Sequence, residues 1–423
     1  MPEADVKRTI DAIWRIESTR LIAGLARIVR DVGLAEDLAQ EAFVAALEQW
    51  PESGVPQRPG AWLITTAKHR GIDRLRRLSL HERKTAELVR ELERSGASDL
   101  GEPAADGDFI EDDLLRLIFT TCHPMLSADA RVALTLRLLG GLTTAEIARA
   151  YLVAEPTVAQ RIVRARKTLA AAHVPFEVPD RDELPKRLGS VLEAIYLIFN
   201  EGYSPTAGDS WLRMELLEEA LRLGRILAGL MPEESEVHGL AALMELQGSR
   251  SRARVGPSGE PILLNDQDRS RWDYVLVTRG LAALERAMSL KAPLGPYTLQ
   301  AAIAACHARA RIPEDTDWKQ IVALYDALAQ VMPSPVVELN RAVAVSMAFG
   351  PEAGLELVDA LADEPALRDY HLLPSVRGDL LAKLGRSREA RREFDHAAAL
   401  ATNVQQRKLL RERASRAVAS SRP

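Results

Sequence analysis

The chain has 423 residues, 47% of them hydrophobic, and a formal net charge of −5. That length and apolar content sustain roughly two to four domains with real cores and exclude a wholly disordered chain. The slight acidity excludes a protein that coats nucleic acid indiscriminately, while a total says nothing about local basic stripes. Cys122 and Cys306 stand far apart without a second pair, which fits a reducing compartment and provides no disulfide framework. The opening MPEADVKRTI lacks the basic-then-apolar layout of a signal peptide, and no apolar run is long enough for a bilayer. A cytoplasmic protein with no membrane partner is therefore expected. Alanine, leucine, arginine and glutamate follow helical periodicity almost throughout and sustained alternation is nearly absent, so the expected fold class is all-α.

The first block, residues 6–80, contains two helices with opposed faces. Between Ala35 and Trp50, the residues Leu38, Ala42, Ala45 and Ala46 form a packed side, whereas Asp37, Gln40, Glu41 and Glu48 share the other. Such a row of acids suits a basic partner, or simply solvent. Farther on, RPGAWLITTAKHRGIDRLRR points Ile64, Ala67, Ile72 and Leu75 inward and Arg70, Arg74 and Arg77 outward, with Lys68 and Arg76 flanking. That face suits a phosphate backbone. Trp62 either joins the core, as its apolar neighbours favour, or stacks on an unpaired base. Residues 81–109, rich in glycine, alanine and acid, read as a mobile acidic linker.

Within residues 110–172, the stretch GLTTAEIARAYLVAEPTVAQRIVRARKTL reads as a helix-turn-helix. Thr143 or Thr144 can N-cap its first helix, with Glu146 near the positive end of the dipole. Proline at the start of the second helix gives up only an amide that would be unpaired anyway. On that helix Val158, Ile162, Ala165 and Leu169 fall on one side, and Thr157, Gln160, Arg161, Arg164 and Thr168 on the other. Arginine and glutamine make bidentate contacts to base edges, so duplex DNA is the partner this stripe suggests.

Pro175, Pro179 and Pro185 mark a boundary, and residues 186–423 form a large helical region. Leu380, Leu384, Gly385, Ala390, Phe394 and Ala398 follow a tetratricopeptide-like pattern, echoed upstream by Ala342, Gly350 and Ala353. Asp266, Asp268 and Arg269 beside Trp272, together with Glu201 and Tyr203, either line a small-molecule or peptide pocket or cap helices and pair across repeats. The structural role is favoured, because no nucleophile, cofactor loop or metal set accompanies the two acids. The excursion over residues 252–264 interrupts the helical pattern as a small hairpin whose arginines either touch nucleic acid or, as favoured here, are solvated. Cys122 followed by His123 lacks zinc spacing, and no glycine-rich phosphate loop occurs. No cofactor, metal or catalytic residue is expected, and the chain is read as not an enzyme.

The order of segments carries a resemblance. An acidic-faced GLAEDLAQEAFVAALEQWP, a basic AWLITTAKHRGIDRLRR, an acidic linker and a helix-turn-helix together resemble the two-domain core of a bacterial RNA polymerase sigma factor of the extracytoplasmic-function group, over about residues 10–172. The resemblance implies that Asp37, Gln40 and Glu41 dock on the polymerase clamp helices. It implies that the helix holding Lys68, Arg70, Asp73, Arg74, Arg76 and Arg77 engages the minus-ten promoter element as it melts; the family commonly has asparagine where this chain has His69. Thr157, Gln160, Arg161 and Arg164 match the helix that reads the minus-thirty-five element, and the linker, with Glu102, Asp106 and Asp108, would thread toward the polymerase active centre. Core RNA polymerase and promoter DNA are the implied partners. The segments IFNEGYSPTAGDSWLR, LNDQDRSRWD, GPYTLQAAIAACHARA and TDWKQIVALYDAL resemble a subgroup with a long tetratricopeptide-like helical extension, which implies regulation by a protein or a small ligand. The rival is a helix-turn-helix regulator that senses a ligand without entering polymerase. Such a regulator has no need of both an acidic docking face and a basic melting helix.

Overall fold

The computed structural model describes residues 3–78, 107–151, 153–205, 208–257 and 259–419. The acidic linker lies for the most part outside the described residues, including Glu102 and Asp106. The fold is all-α: among the described residues there is no strand, only isolated bridges between Gly208 and Asn403 and between Val255 and Pro261. Two compact units divide the chain, Met1–Ile195 and Tyr196–Pro423.

In the first unit, α1 (Glu3–Val29), α2 (Val32–Ser53) and α3 (Pro59–Leu78) pack on one another. Asp31 starts α2 by accepting from the Leu34 amide at 2.8 Å, satisfying one donor that the first turn leaves free. Leu38, Ala42, Ala45 and Ala46 are fully buried, and small side chains there let the α1 backbone approach closely. Trp50 is buried with the Trp62 ring edge-on at 5.2 Å, which gives Trp62 a packing role. The inward stripe of α3 departs from expectation at Ile64. Leu63 and Ala67 are buried, whereas Ile64 is 40% exposed, because one residue along a helix turns the side chain by about 100°.

The same unit continues with α4 (Gly107–Thr121), which begins where the linker was expected to end and packs on α1. Then come α5 (Ala128–Leu138), α6 (Thr144–Tyr151) and α7 (Glu155–Ala171). The unit division falls inside α8 (Leu184–Tyr203), beyond the proline-marked stretch. Two buried arginines explain this: Arg187 donates to the Phe119 carbonyl at 3.0 Å, and Arg131 meets Glu193 at 2.8 Å. The start of α8 is thereby held by α4 and α5.

The second unit is a succession of helices packed on their sequence neighbours: α9 (Met214–Leu230), α10 (Ser235–Gly248), α11 (Tyr274–Ser289), α12 (Pro296–Arg309), α13 (Trp318–Val331), α14 (Pro335–Phe349), α15 (Pro351–Asp359), α16 (Leu372–Lys383), α17 (Ser387–Leu400) and α18 (Val404–Ala419). Leu380, Ala390, Phe394 and Ala398 share one core across the α16–α17 hairpin. Its turn uses Gly385 at φ +73°, a left-handed conformation that costs glycine little. The last helix is tied to the segment after α8: Asn403 donates from its side chain to the Ser210 carbonyl at 3.0 Å, and the Val404 amide donates to Gly208 at 3.0 Å.

Candidate nucleic-acid interface

The helix-turn-helix forms as its residues dictate. Thr143 and Glu146 make a reciprocal capping box: the Thr143 amide donates to the Glu146 carboxylate at 2.7 Å, and the Glu146 amide donates to the Thr143 hydroxyl at 3.1 Å. On α7, Val158, Ile162, Ala165 and Leu169 are all buried. The opposite side carries Thr157, Gln160, Arg164 and Thr168, all exposed. Arg161 is half-buried and pairs with Asp129 of α5 at 2.8 Å, so it is aimed by a neighbour in a way that Arg164 is not.

On α2, Asp37, Gln40 and Glu41 are half-buried and Glu48 is exposed. Beside them is a residue that sequence reasoning passed over, Glu36, whose side chain is 2% exposed. Arg137 from the end of α5 reaches it at 2.7 Å, Arg166 from α7 pairs with its other oxygen, and Gln40 donates to it at 2.6 Å. Arg166 also lies 3.4 Å from Asp37. Burial pushes the Arg137 and Arg166 guanidinium pKa values down, with acidic neighbours working against it. Asp37 and Gln40 of the acidic face are thus drawn into a network that joins α2 to the helix-turn-helix. The available signal was a carboxylate one turn before Gln40, within a run of alanines and leucines; its partners sit too far along the chain for periodicity to reveal.

On α3, Lys68 and Arg70 are half-buried and His69 is exposed. The side chains of Arg74, Arg76 and Arg77 lie outside the described residues. In the second unit, the polar residues singled out by sequence divide. Asp268 accepts from the Ser270 amide at 2.9 Å, Arg269 donates to the His307 and Ala310 carbonyls, and Glu201 pairs with Arg213 at 2.6 Å. These are capping and clamping roles. Tyr203 and Trp272, by contrast, pack against arginine guanidiniums. Arg254 of the 252–264 excursion is not a solvated loop residue, since its guanidinium stacks 3.7 Å over the Tyr203 ring. No group of three potential ligands among the described residues could hold a metal ion, and no described helix is long and apolar enough to cross a membrane.

The family model of sigma-70 region 2 matches residues 16–80, and that of sigma-70 region 4 matches residues 116–169. A probable RNA polymerase sigma-C factor of Mycobacterium bovis is 31% identical over 179 residues, covering 42% of this chain and 85% of the relative. The chain belongs to the sigma-70 family of RNA polymerase sigma factors. An RNA polymerase sigma-H factor of Pseudomonas aeruginosa is 30% identical over 175 residues, covering 40% of this sigma factor and 89% of the relative. Sigma factors are DNA-binding initiation factors, not enzymes, and the partners that follow for this one are core RNA polymerase and promoter DNA. An uncharacterized protein of Rhizobium meliloti is 47% identical over 394 residues, 92% of this chain and 91% of its own length. Residues 187–288 match a family of unknown function, DUF6596. No solved structure matches the chain.

Proposed function

We propose that this sigma factor works as an extracytoplasmic-function initiation factor whose region 4, about residues 110–172, reads the minus-thirty-five element through Thr157, Gln160, Arg161 and Arg164. The observation that carries this reading is the exposed polar stripe of α7 over its buried Val158, Ile162, Ala165 and Leu169 spine. A helix anchored on one face and polar on the other can enter the major groove without disturbing its packing. Region 2, residues 6–80, docks on polymerase through Asp37, Gln40 and Glu41, and its basic helix holds the melted minus-ten strand through Lys68, Arg70, Arg74, Arg76 and Arg77. Phosphate neutralisation and base capture offset the stacking lost on opening the duplex.

The Glu36 network gives this reading a condition. Two elements about 25 base pairs apart are separated by on the order of 80 Å of duplex, whereas Arg166 and Asp37 are in contact. The α2–α7 pairing therefore holds the free chain closed, and promoter engagement exchanges it for contacts to polymerase and DNA. The C-terminal helical region, residues 186–423 with its tetratricopeptide-like hairpins, acts as a covalently attached regulator at high effective concentration, responding to a protein or a small ligand. Transcription by core polymerase with the full chain, and with a chain ending near Pro185, tests this. Start-site-specific initiation by the full chain and an altered level for the shortened one are expected; equal activity of the two removes the regulatory role.

A further inference from the structure

We propose that Arg250, Arg254, Trp211 and Trp272 form a binding site in the C-terminal unit for a multivalent oxyanion of the phosphate class. Arg250 follows the end of α10 and Arg254 comes four residues later, across a single 3-10 turn at Ser251–Ala253. This brings both guanidiniums to Tyr203 at the end of α8. Arg254 lies 3.7 Å over the Tyr203 ring and 5.6 Å from the Trp211 ring. Arg250 lies 5.9 Å from Tyr203 and 6.0 Å from Trp272, and Arg269 approaches Trp272 from 5.0 Å. Aromatic faces support these cations without neutralising them.

Two observations say that something is owed to this cluster from outside. First, charge: among the described residues no carboxylate lies within 4.0 Å of Arg250 or Arg254, and the acid nearest Tyr203 in the chain, Glu201, pairs with Arg213 at 2.6 Å. Gathering like charges in a partly dry environment is unfavourable unless an anion joins them. Second, hydrogen bonds: the Nε groups of Arg250, Arg254 and Arg269 and the indole N–H groups of Trp211 and Trp272 are buried without an acceptor. Against these five donors, the orphan acceptors among the described residues of the cluster are Gln267 Oε1 and, depending on its tautomer, His307 Nδ1. Buried donors left unmet are rare in folded proteins, and a set with this bias calls for a ligand rich in acceptors. A tetrahedral oxyanion offers more acceptor oxygens than a carboxylate and matches the planar forks of two arginines.

The electrostatics agree. Burial opposes ionisation of the Tyr203 phenol, yet Arg250 and Arg254 outweigh it and hold its pKa below the ordinary value. His307 is pushed down to about 3, by burial first and then by Arg250 and Arg269. Of the four site residues Trp272 lines a surface depression of about 530 Å³, together with Arg252, Val255, Ser270, Arg271 and Asp273. Arg252 and Arg271 are exposed and add positive charge at that rim. Asp273 is occupied there in capping α11, accepting from the Val275 and Leu276 amides at 3.0 and 3.2 Å.

Only the regulatory consequence of this site rests on the reading of the extension given above; binding itself does not. The test uses the full chain alone, titrated with inorganic phosphate, pyrophosphate and acetate at matched ionic strength, followed by calorimetry and tryptophan emission. Saturable binding of phosphate or pyrophosphate with a Kd of about 1 mM or tighter is expected, with none for acetate. Arg250→Met and Arg254→Met should each weaken binding about tenfold or more, while Arg252→Met at the rim should weaken it less than about threefold. Should a methionine variant fail to fold, Arg254→Lys and Trp211→Phe carry the comparison, each with a several-fold loss. Absence of saturable binding by the folded wild-type chain, equal binding of acetate, or undiminished binding by the folded arginine variants overturns the proposal. None of these results bears on promoter recognition, which is measured with polymerase.

Discussion

The two units treat converging arginines in opposite ways. In the N-terminal unit, Arg137 and Arg166 close on the buried carboxylate of Glu36, with Asp37 and Gln40 beside it. In the C-terminal unit, Arg250 and Arg254 close on a phenol and indole rings, with no carboxylate in reach among the described residues. A buried cation whose counter-charge belongs to the same chain is part of a latch between elements. One whose counter-charge is missing from the chain is a site awaiting it. The same residue type at comparable burial thus serves closure in one unit and reception in the other.

The sharpest way to break this contrast is at Glu36. Glu36→Gln should cost about 3 kcal/mol, because it leaves two guanidiniums facing a neutral amide, and hydrogen exchange across α2 and α7 should rise. Asp37→Asn, at a side chain 43% exposed, should cost less than about 1 kcal/mol. Equal effects of the two would deny Glu36 its latch role. Next come the reading residues. Arg164→Ala should lose about 1 to 3 kcal/mol of promoter binding in a sequence-dependent way, and Arg161→Ala a similar amount if its Asp129 partner aims it at a base. A loss uniform across all sequences would make either one a phosphate contact instead.

The last prediction concerns His307 and is small near neutral pH, where it bears on the other side of the contrast. Its folded pKa of about 3 lies below the ordinary 6.5, so the unfolded chain binds the extra proton first. Its contribution is fully present above about pH 6.5 and is lost as pH falls toward about 3, at no more than about 1.4 kcal/mol per pH unit. His307→Gln should flatten that limb in pH-dependent hydrogen exchange of α12, and Arg250→Met should move the His307 imidazole titration upward in NMR. An imidazole indifferent to Arg250 would show that the cation is already neutralised.

What could be read from sequence was what repeats locally. The packed stripe of α2, the spine of α7 and the capping box at Thr143 each lie within a few turns, so periodicity and capping chemistry identify them. On α3 Ala67 is buried as expected, but Leu63 takes the inward place expected of Ile64, because the two are equally apolar and only the partner helix decides between them. The two arginines on Glu36 lie 101 or more positions away from it, and no local pattern encodes such a pairing. Arg254 reads as a loop residue because Gly256 and Pro257 follow closely; the tyrosine it stacks on belongs to another element.

Reconstituted transcription on a promoter library decides whether this chain gives core RNA polymerase its choice of start site. The chain should co-elute with core enzyme and direct initiation from a restricted set of templates, with Arg164→Ala shifting that set. Failure to bind core enzyme, or initiation no more selective than that of core enzyme alone, would contradict it.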